Sequence, residues 1–289
     1  MGTVYKKEIK LLFSGMMGYI YIALIFFIVG IYMRAYNLSG NYYANFEYIF
    51  SSVCFIFLII IPILTMRSVA EETRLKTDQL LFTAPISMYE IVLGKFFAMV
   101  TVLAVPVAAF FIYPLILSSY GSVNYLSALI GIIAFFMLGA MLTSVGLYIS
   151  TLTDSQIISA VICFIVLFVS YFMSGIINLI SSSAVAAVIA FTVVVAIFTL
   201  IIRVMTKNLS AALTVGLCLE AALVILYFII PTALKSAFTA VLSAFAAFDK
   251  IQDIAYLGLL DLKTFLYYIS VTAMFLFFAT QSLEKRRWS

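Results

Sequence analysis

The 289-residue sequence contains no histidine and very little charge. Histidine is the commonest metal ligand and the usual general base near neutral pH, so its absence argues against most such sites. Charged residues make up 10% of the chain, whereas an ordinary soluble domain has about 25%. The three cysteines, Cys54, Cys163 and Cys218, lie far apart in apolar runs. We expect them to be small side chains that are buried or face lipid.

Apolar residues fill the place of the missing charge. They make up 66% of the sequence, and the mean hydropathy is +1.23. A water-soluble globule of this size cannot bury that many apolar side chains. A helix needs about 20 mostly apolar residues to cross a bilayer, and the sequence contains several apolar runs of that length. Such runs are too long to be strands of a membrane barrel. The sequence therefore predicts an all-α, polytopic membrane protein with a single transmembrane domain over 1–289. Its eight predicted spans are 15–34, 48–66, 92–118, 126–150, 156–180, 184–205, 209–232 and 264–283.

Lysine and arginine in the connecting segments predict the orientation. With a cytoplasmic N-terminus, 12 of the 16 basic residues lie inside and 4 lie outside. We therefore expect a multi-pass plasma-membrane protein with both termini in the cytoplasm. Residues 1–13 are expected to form an interfacial helix with its lysines toward anionic lipid, and a solvated basic tail is the alternative.

The longest cytoplasmic segment, 67–91, concentrates charge in a chain that has little. It lacks glycine and proline from 67 to 82, so the second span is expected to continue as helix into the cytoplasm. Pro85 then breaks the helix, and Ser87 with Glu90 forms a capping box that starts the third span. This pattern predicts a ledge of charged and apolar side chains, and a plain hydrophilic connector is the alternative.

Two further regions attract attention. Residues 235–262 are too polar for a span and too apolar for a free loop, so short helices in the outer leaflet or an extracellular cap are expected. Glu220 is the one acidic residue deep in a predicted span, where charge is costly. It is expected to be either functional or a neutral acid bonded to a neighbouring helix.

Motifs for covalent chemistry are missing from the sequence. The only Gly-Lys pair, Gly94-Lys95, lacks the other residues of a phosphate-binding loop. Zinc-ligand spacings and a nucleophile elbow are also missing, and the basic residues lie at membrane borders rather than in a nucleic-acid-binding patch. We expect no catalysis, no cofactor and no nucleic-acid partner for this chain. Energy for active transport would come from an ion gradient or from a partner.

Three stretches in order resemble ABC-2 type permeases, most of all the gliding-motility-associated and copper-processing permease-like proteins. The resemblance covers about 1–180 and 235–289. The stretches are Ala70 to Phe96, Ser150 to Gln156 and Leu283 to Trp288.

The resemblance implies a bacterial membrane-spanning subunit with the fold of a type V exporter-like transmembrane domain. Such a subunit pairs with a second permease, identical or different, and with separate ATPase subunits that bind ATP and magnesium. It also implies that 1–13 is an elbow helix and that 67–91 is the coupling segment that docks on the ATPase. The implied coupling residues are Glu71, Glu72, Arg74, Thr77, Leu80, Leu81, Thr83, Pro85 and Ser87.

The sequence also departs from the family pattern. Lys76 stands where the family often has glycine, and Gln79 stands where an acid is common. The family usually has six spans, so 183–232, which contains Glu220, is interpreted as a possible inserted two-span hairpin.

These observations lead to one main hypothesis and two alternatives. The main hypothesis is the permease subunit of an ATP-driven exporter, whose aromatic, methionine and small residues suit an amphipathic or lipid-like substrate. The first alternative is an ion-coupled secondary transporter or channel that uses Glu220. The second alternative is a membrane scaffold that transports nothing.

Overall fold

The computed structural model describes residues 1–38, 46–77, 86–119, 121–180, 192, 199, 239–257 and 261–288. This part of the chain is helical and contains no strand. The helices are α1 (Gly2–Ser14), α2 (Met17–Tyr32), α3 (Glu47–Val53), α4 (Phe57–Thr65), α5 (Ala70–Arg74), α6 (Met88–Phe110), α7 (Ile112–Leu117), α8 (Tyr125–Leu152), α9 (Gln156–Tyr171), α10 (Met173–Ile180), α11 (Asp249–Leu257) and α12 (Leu262–Trp288). A π-helical segment, Met33–Leu38, follows α2, and a 3-10 turn, Cys54–Ile56, joins α3 to α4.

Within the described residues, five helical stretches are long and apolar enough to cross a membrane. They coincide with the first four predicted spans and the last one. The stretches are Met17–Asn37, Glu47–Arg74, Met88–Leu117, Tyr125–Leu152 and Leu262–Arg287.

Of the remaining predicted spans, only 156–180 lies wholly on described residues, and it is not one continuous helix. In place of 156–180 there are two helices, α9 and α10, and α9 has only 16 residues. Apart from residues 192 and 199, the predicted spans 184–205 and 209–232 lie outside the described residues, as does Glu220. A total of eight spans and an inserted hairpin at 183–232 therefore stay predictions.

The chain divides into two units, and the candidate site lies in the first. The first unit comprises Met1–Val169 and Phe248–Ser289, and the second comprises Ser170–Ala247. In the second unit the Ser170 hydroxyl donates to the carbonyl of Phe245 at 2.6 Å. Phe245 is the last residue of a helical stretch at 239–245. That stretch and α11 fall where short outer helices are predicted, and their place in the outer leaflet stays a prediction.

In the first unit α8 is the central helix and packs against α3, α4, α6, α11 and α12. Small residues allow the close approach. A Cβ on Gly139 would fall 2.6 Å from the Leu103 side chain, and one on Gly146 would fall 2.5 Å from the Thr65 hydroxyl oxygen. Without these glycines, α4 and α6 would be pushed away from α8.

Aromatic rings fill the core between α3, α4, α6 and α8. Phe135 of α8 lies at its centre, with its ring centroid 4.6 Å from that of Phe57 and 5.0 Å from that of Phe50. The Phe110 ring lies 6.2 Å from Phe135. All four rings are fully buried. Between helices in a membrane the gain comes from packing rather than from leaving water, and such aromatic pairs contribute about 0.5–1.5 kcal/mol each.

The expectation of an uninterrupted helix from the second span to residue 82 is wrong. The helix α4 ends at Thr65, and after a turn α5 covers only Ala70–Arg74. Lys76 then adopts a positive φ of 56°, which a right-handed helix does not allow. The reason for the break is tertiary, because backbone groups at 68–70 bond to side chains of other helices.

Candidate functional site

Most of the basic residues that the structure describes gather at one end of the first unit. This charged end, as we name it, consists of α1, residues 66–77, the first turns of α6, the turn from α8 to α9 and the last turns of α12. Direct polar contacts join all five pieces. The basic residues are Lys6, Lys7, Lys10, Arg67, Arg74, Lys76, Lys95, Lys285, Arg286 and Arg287.

At the centre of the charged end lies a buried lysine, Lys95 of α6, whose side chain is 2% exposed. Its Nζ donates to Glu8 Oε1 at 2.8 Å, and it lies 2.7 Å from Glu72 Oε2. It also donates to the Ser68 carbonyl at 2.7 Å. A lysine ammonium has three N–H donors, so this set of partners uses its full capacity. Full pairing is what makes a charge tolerable at such depth.

Glu72 joins a second lysine to the same network. Its other oxygen, Oε1, accepts a hydrogen bond from Lys7 Nζ of α1 at 2.8 Å. Lys7 is about half exposed, whereas Lys95 is sealed from solvent. The network therefore ties α1, residues 66–77 and α6 together.

The elbow-like helix α1 packs directly on α6. Gly94 makes this possible, because a Cβ at that position would fall 3.0 Å from the buried Val4 side chain. Two turns further along α6, the hydroxyls of Tyr5 and Thr101 lie 3.0 Å apart. The range of α1 matches the segment predicted as an elbow helix, and its location at a membrane surface stays a prediction.

The start of α5 is held by α8. The backbone N–H groups of Val69 and Ala70 both donate to Ser150 Oγ at 3.1 Å. Ser150 is fully buried, and its hydroxyl caps α5 from another helix rather than from the preceding residue. Ser150 thus accounts for the break between α4 and α5.

A Schellman motif ends α5. The N–H of Lys76 donates to the Thr73 carbonyl at 3.1 Å, and that of Thr77 donates to the Glu72 carbonyl at 2.9 Å. The motif requires a left-handed residue, which is Lys76 here and is usually glycine. The departure from the family glycine noted above thus falls on the one position of this turn where glycine is favoured.

The last turns of α12 contact the same region. Arg286 pairs with Asp154 in the turn after α8 at 2.8 Å and donates to the Thr73 hydroxyl at 3.1 Å. Ser282 donates to the Thr151 carbonyl at 3.4 Å. The C-terminal helix is thereby connected to α5 and to the end of α8.

The residues predicted to couple fall into three groups. Glu71, Arg74 and Thr77 lie on α5 or in the turn after it, and Arg74 and Thr77 are exposed, as is Leu75 at 59%. Glu72 instead faces inward. Outside the described residues lie Leu80, Leu81, Thr83 and Pro85.

Ser87 has a local role at the start of α6. Its hydroxyl accepts a hydrogen bond from the Glu90 N–H at 3.3 Å, as the predicted capping box requires. The Glu90 carboxylate lies 3.6 Å from the N-terminal ammonium of Met1 instead of returning to Ser87. Only one half of the predicted box is therefore present.

Four residues of the charged end were not among the predicted site residues: Glu8, Lys95, Ser150 and Arg286. A signal for Lys95 exists, because it is an ionisable residue inside an apolar helix, the criterion that singles out Glu220. Several of these partners lie 65 or more residues apart in sequence. Lys95 is also many helical turns away from Ser68 and Glu72, so local spacing gives no sign of these contacts. Among the described residues no group of three or more His, Cys, Asp or Glu side chains is placed to hold a metal ion.

Comparison with known proteins adds one finding. A family model described as ABC-2 family transporter protein matches residues 3–183, more than half of the chain. The matched range contains α1 to α10 and therefore most of the charged end. No curated protein and no solved structure matches the chain.

Proposed function

The chain belongs to the ABC-2 family of transporter proteins, and from that membership we propose that it is the permease half of an ATP-driven exporter. In this proposal the chain binds no nucleotide itself. ATP and magnesium bind to separate ATPase subunits, and a second permease, identical or different, completes the membrane part. The closer relation to gliding-motility-associated permeases belongs to the proposal as well.

The observation that carries the proposal is an exposed tip on a fixed base. Residues 74–77 are exposed, with a leucine and two basic side chains at the surface. Directly behind them, Glu72, Thr73 and the start of α5 bond to α1, α6, α8 and α12. Such a tip has side chains free to contact a partner and a base that is joined to the spanning helices.

The arrangement supplies a mechanical route. An ATPase that grips the tip would move α5, and the Lys95 and Ser150 contacts would pass that motion to α6 and α8. Rigid-body rocking of packed helices is a common form of such transitions. Transport requires that the two states bind substrate differently, so the tip must stay gripped while the substrate path changes.

The charge distribution supports the orientation that this function needs. The positive-inside rule assigns the charged end to the cytoplasm, where an ATPase has access to ATP. We propose a plasma-membrane location with both termini in the cytoplasm. An amphipathic or lipid-like substrate is proposed from composition alone.

The test separates surface contacts from structural ones. Arg74→Ala removes the exposed arginine of the tip, and Glu71→Ala removes the carboxylate three residues before it on α5. The double variant leaves Glu72 and the Lys95 network intact. The permease and its ATPase are co-purified and assayed for ATP hydrolysis stimulated by transport substrate. We expect lower ATPase recovery or lost stimulation, with an unchanged unfolding temperature.

The matched control is Lys6→Ala with Lys10→Ala, which removes two exposed charges from α1. Equal behaviour of both double variants and the wild type would contradict the coupling role of the tip. Gradient-driven uptake by vesicles that lack an ATPase would instead favour the ion-coupled alternative with Glu220. A complete lack of substrate-dependent activity would favour the scaffold alternative.

A further inference from the structure

A groove at the charged end is separate from the tip and from the Lys95 network. It lies between α1, α2 and α4, is open along one side, and has a cavity volume of about 80 Å³. Its walls are almost entirely apolar, with Leu12, Leu24 and Ile60 among the lining side chains. Leu24 lies seven residues into α2, so the groove runs about 10 Å from the charged end toward the spanning region.

Two polar groups interrupt the apolar lining. Arg67, just beyond α4, is exposed and has no ion pair or hydrogen bond with the described residues. Tyr21 of α2 forms part of the wall and is 5% exposed, while its hydroxyl oxygen is itself buried and has no hydrogen-bond partner in the described part of the chain. Burying a hydroxyl without a partner is unfavourable, so a turn of the ring that brings the hydroxyl to the groove surface, beside a ligand oxygen, would remove that cost.

The groove is also open at its side. Ile20 and Ile63 on its rim are 51% and 41% exposed, as expected for side chains that contact hydrocarbon rather than water. The guanidinium therefore lies at the mouth of an apolar channel that opens laterally. A guanidinium is a strong, bidentate partner for phosphate.

We propose that this groove binds one anionic phospholipid from the leaflet at the charged end. One acyl chain lies along α2 and α4, the phosphate is bound by Arg67, and the Tyr21 hydroxyl donates to an ester carbonyl oxygen. The bound lipid fastens the end of α1 to the second span. The inference requires only that the chain lies in a membrane, and it does not depend on the ATPase contact.

The experiment uses the purified full-length chain, stripped of lipid in detergent. Phosphatidylglycerol or phosphatidylcholine is titrated in, and bound lipid is counted by native mass spectrometry. We expect one phosphatidylglycerol per chain, bound about tenfold more tightly than phosphatidylcholine because of its net charge. Arg67→Gln should lower the phosphatidylglycerol affinity about tenfold, which is the usual effect of losing a charged hydrogen bond. Tyr21→Phe should lower it about threefold.

Matched variants distinguish the groove from general stickiness. Arg74→Gln removes an exposed arginine from the same end outside the groove and should leave the affinity unchanged. Ile20→Trp should block the acyl chain, whereas Ile31→Trp, equally exposed on α2 but not on the groove wall, should not.

Several outcomes would overturn the proposal. One is wild-type affinity in Arg67→Gln or in Ile20→Trp, and another is equal binding of both lipids. Displacement of the lipid by inorganic phosphate alone would mean an anion site without an acyl-chain subsite. Conversion of a dimer to a monomer by Ile20→Trp, with lipid retained, would assign the groove to a second copy of the chain.

Discussion

At the scale of single residues, the charged end depends on ionisable side chains that are buried and fully paired. Two carboxylates and a carbonyl surround the Lys95 ammonium within 2.8 Å, and these contacts offset the free-energy cost of removing its charge from water. Removing one member of such a set is far worse than never having the set, because the remaining charge is left buried.

Lys95→Met should therefore lower the free energy of unfolding by about 3–5 kcal/mol. Glu8 would lose the only partner that the described residues give its carboxylate. Denaturant unfolding of the purified chain measures the loss, and adding Glu8→Gln to Lys95→Met should restore much of it. Lys10→Met, an exposed lysine on α1, is the control, and an equally small effect for both lysines would contradict the buried network.

Lys76 offers a prediction of the opposite sign. Lys76→Gly should raise the stability of the chain by about 1 kcal/mol, because a left-handed φ strains every residue with a Cβ. Leu75→Gly, at a φ of −83°, should lower stability instead, because glycine there loses entropy without relieving strain. Thermal unfolding of the two variants compares them directly. A loss of stability in Lys76→Gly would contradict the Schellman motif.

The sequence carried some of these residue roles and not others. The Ser87 cap was predictable, because capping depends on residues three positions apart. The pairing of Lys95 with Glu8 and Glu72 was not, because it depends on how three distant helices pack. Glu72 was included among the coupling residues by resemblance, and its side chain bonds to the internal network rather than pointing to the surface.

At the scale of elements, α5 is the part that depends most on its neighbours. A helix of five residues is too short to be stable by itself. Ser150 caps its start, Arg286 reaches Thr73 in its middle, and the turn at Lys76 closes its end. The composition of 67–82 favours continuous helix, and bonds from α6 and α8 override that local preference.

Ser150→Ala should loosen α5 without unfolding the bundle. Two buried backbone N–H groups would lose their acceptor, at a cost of about 1–3 kcal/mol. Hydrogen exchange at residues 69–77 should quicken, while α8 stays protected. Ser144→Ala is the matched control, since that buried hydroxyl donates only to the Met141 carbonyl of its own helix. Unchanged exchange at 69–77 in Ser150→Ala would show that the cap is dispensable.

At the scale of the whole molecule, the chain leaves the charged end through α9 and returns to it through α12. With the charged end at one face of a membrane, both ends of 156–288 lie on the same side, and we predict an even number of crossings between them. Both the six-span family pattern and the eight predicted spans satisfy this condition, and a seven-span arrangement does not. Long apolar runs made the five spans predictable, and the lysine and arginine distribution predicted both termini on one side. The contact of Arg286 with Asp154 and Thr73 supports the same parity by an independent observation.

The inserted hairpin gives a prediction at this scale. If 184–205 and 209–232 both cross, residue 207 lies at the cytoplasmic side. In a variant without native cysteines, Lys207→Cys should resist an impermeant maleimide in intact cells and react after permeabilisation. Lys235→Cys should react in intact cells, as the reference for the outer side. Labelling of position 207 from outside would rule the hairpin out.

The central claim is that the exposed tip at 74–77 contacts a nucleotide-hydrolysing subunit. Its most direct test places a photo-crosslinking amino acid at Leu75. The control is Tyr125, a similarly exposed residue at the start of α8, the end of that helix that lies away from the charged end. The account predicts a crosslink from position 75 to the co-expressed ATPase and none from position 125. A crosslink from position 125, or none from position 75 in an active complex, would contradict it.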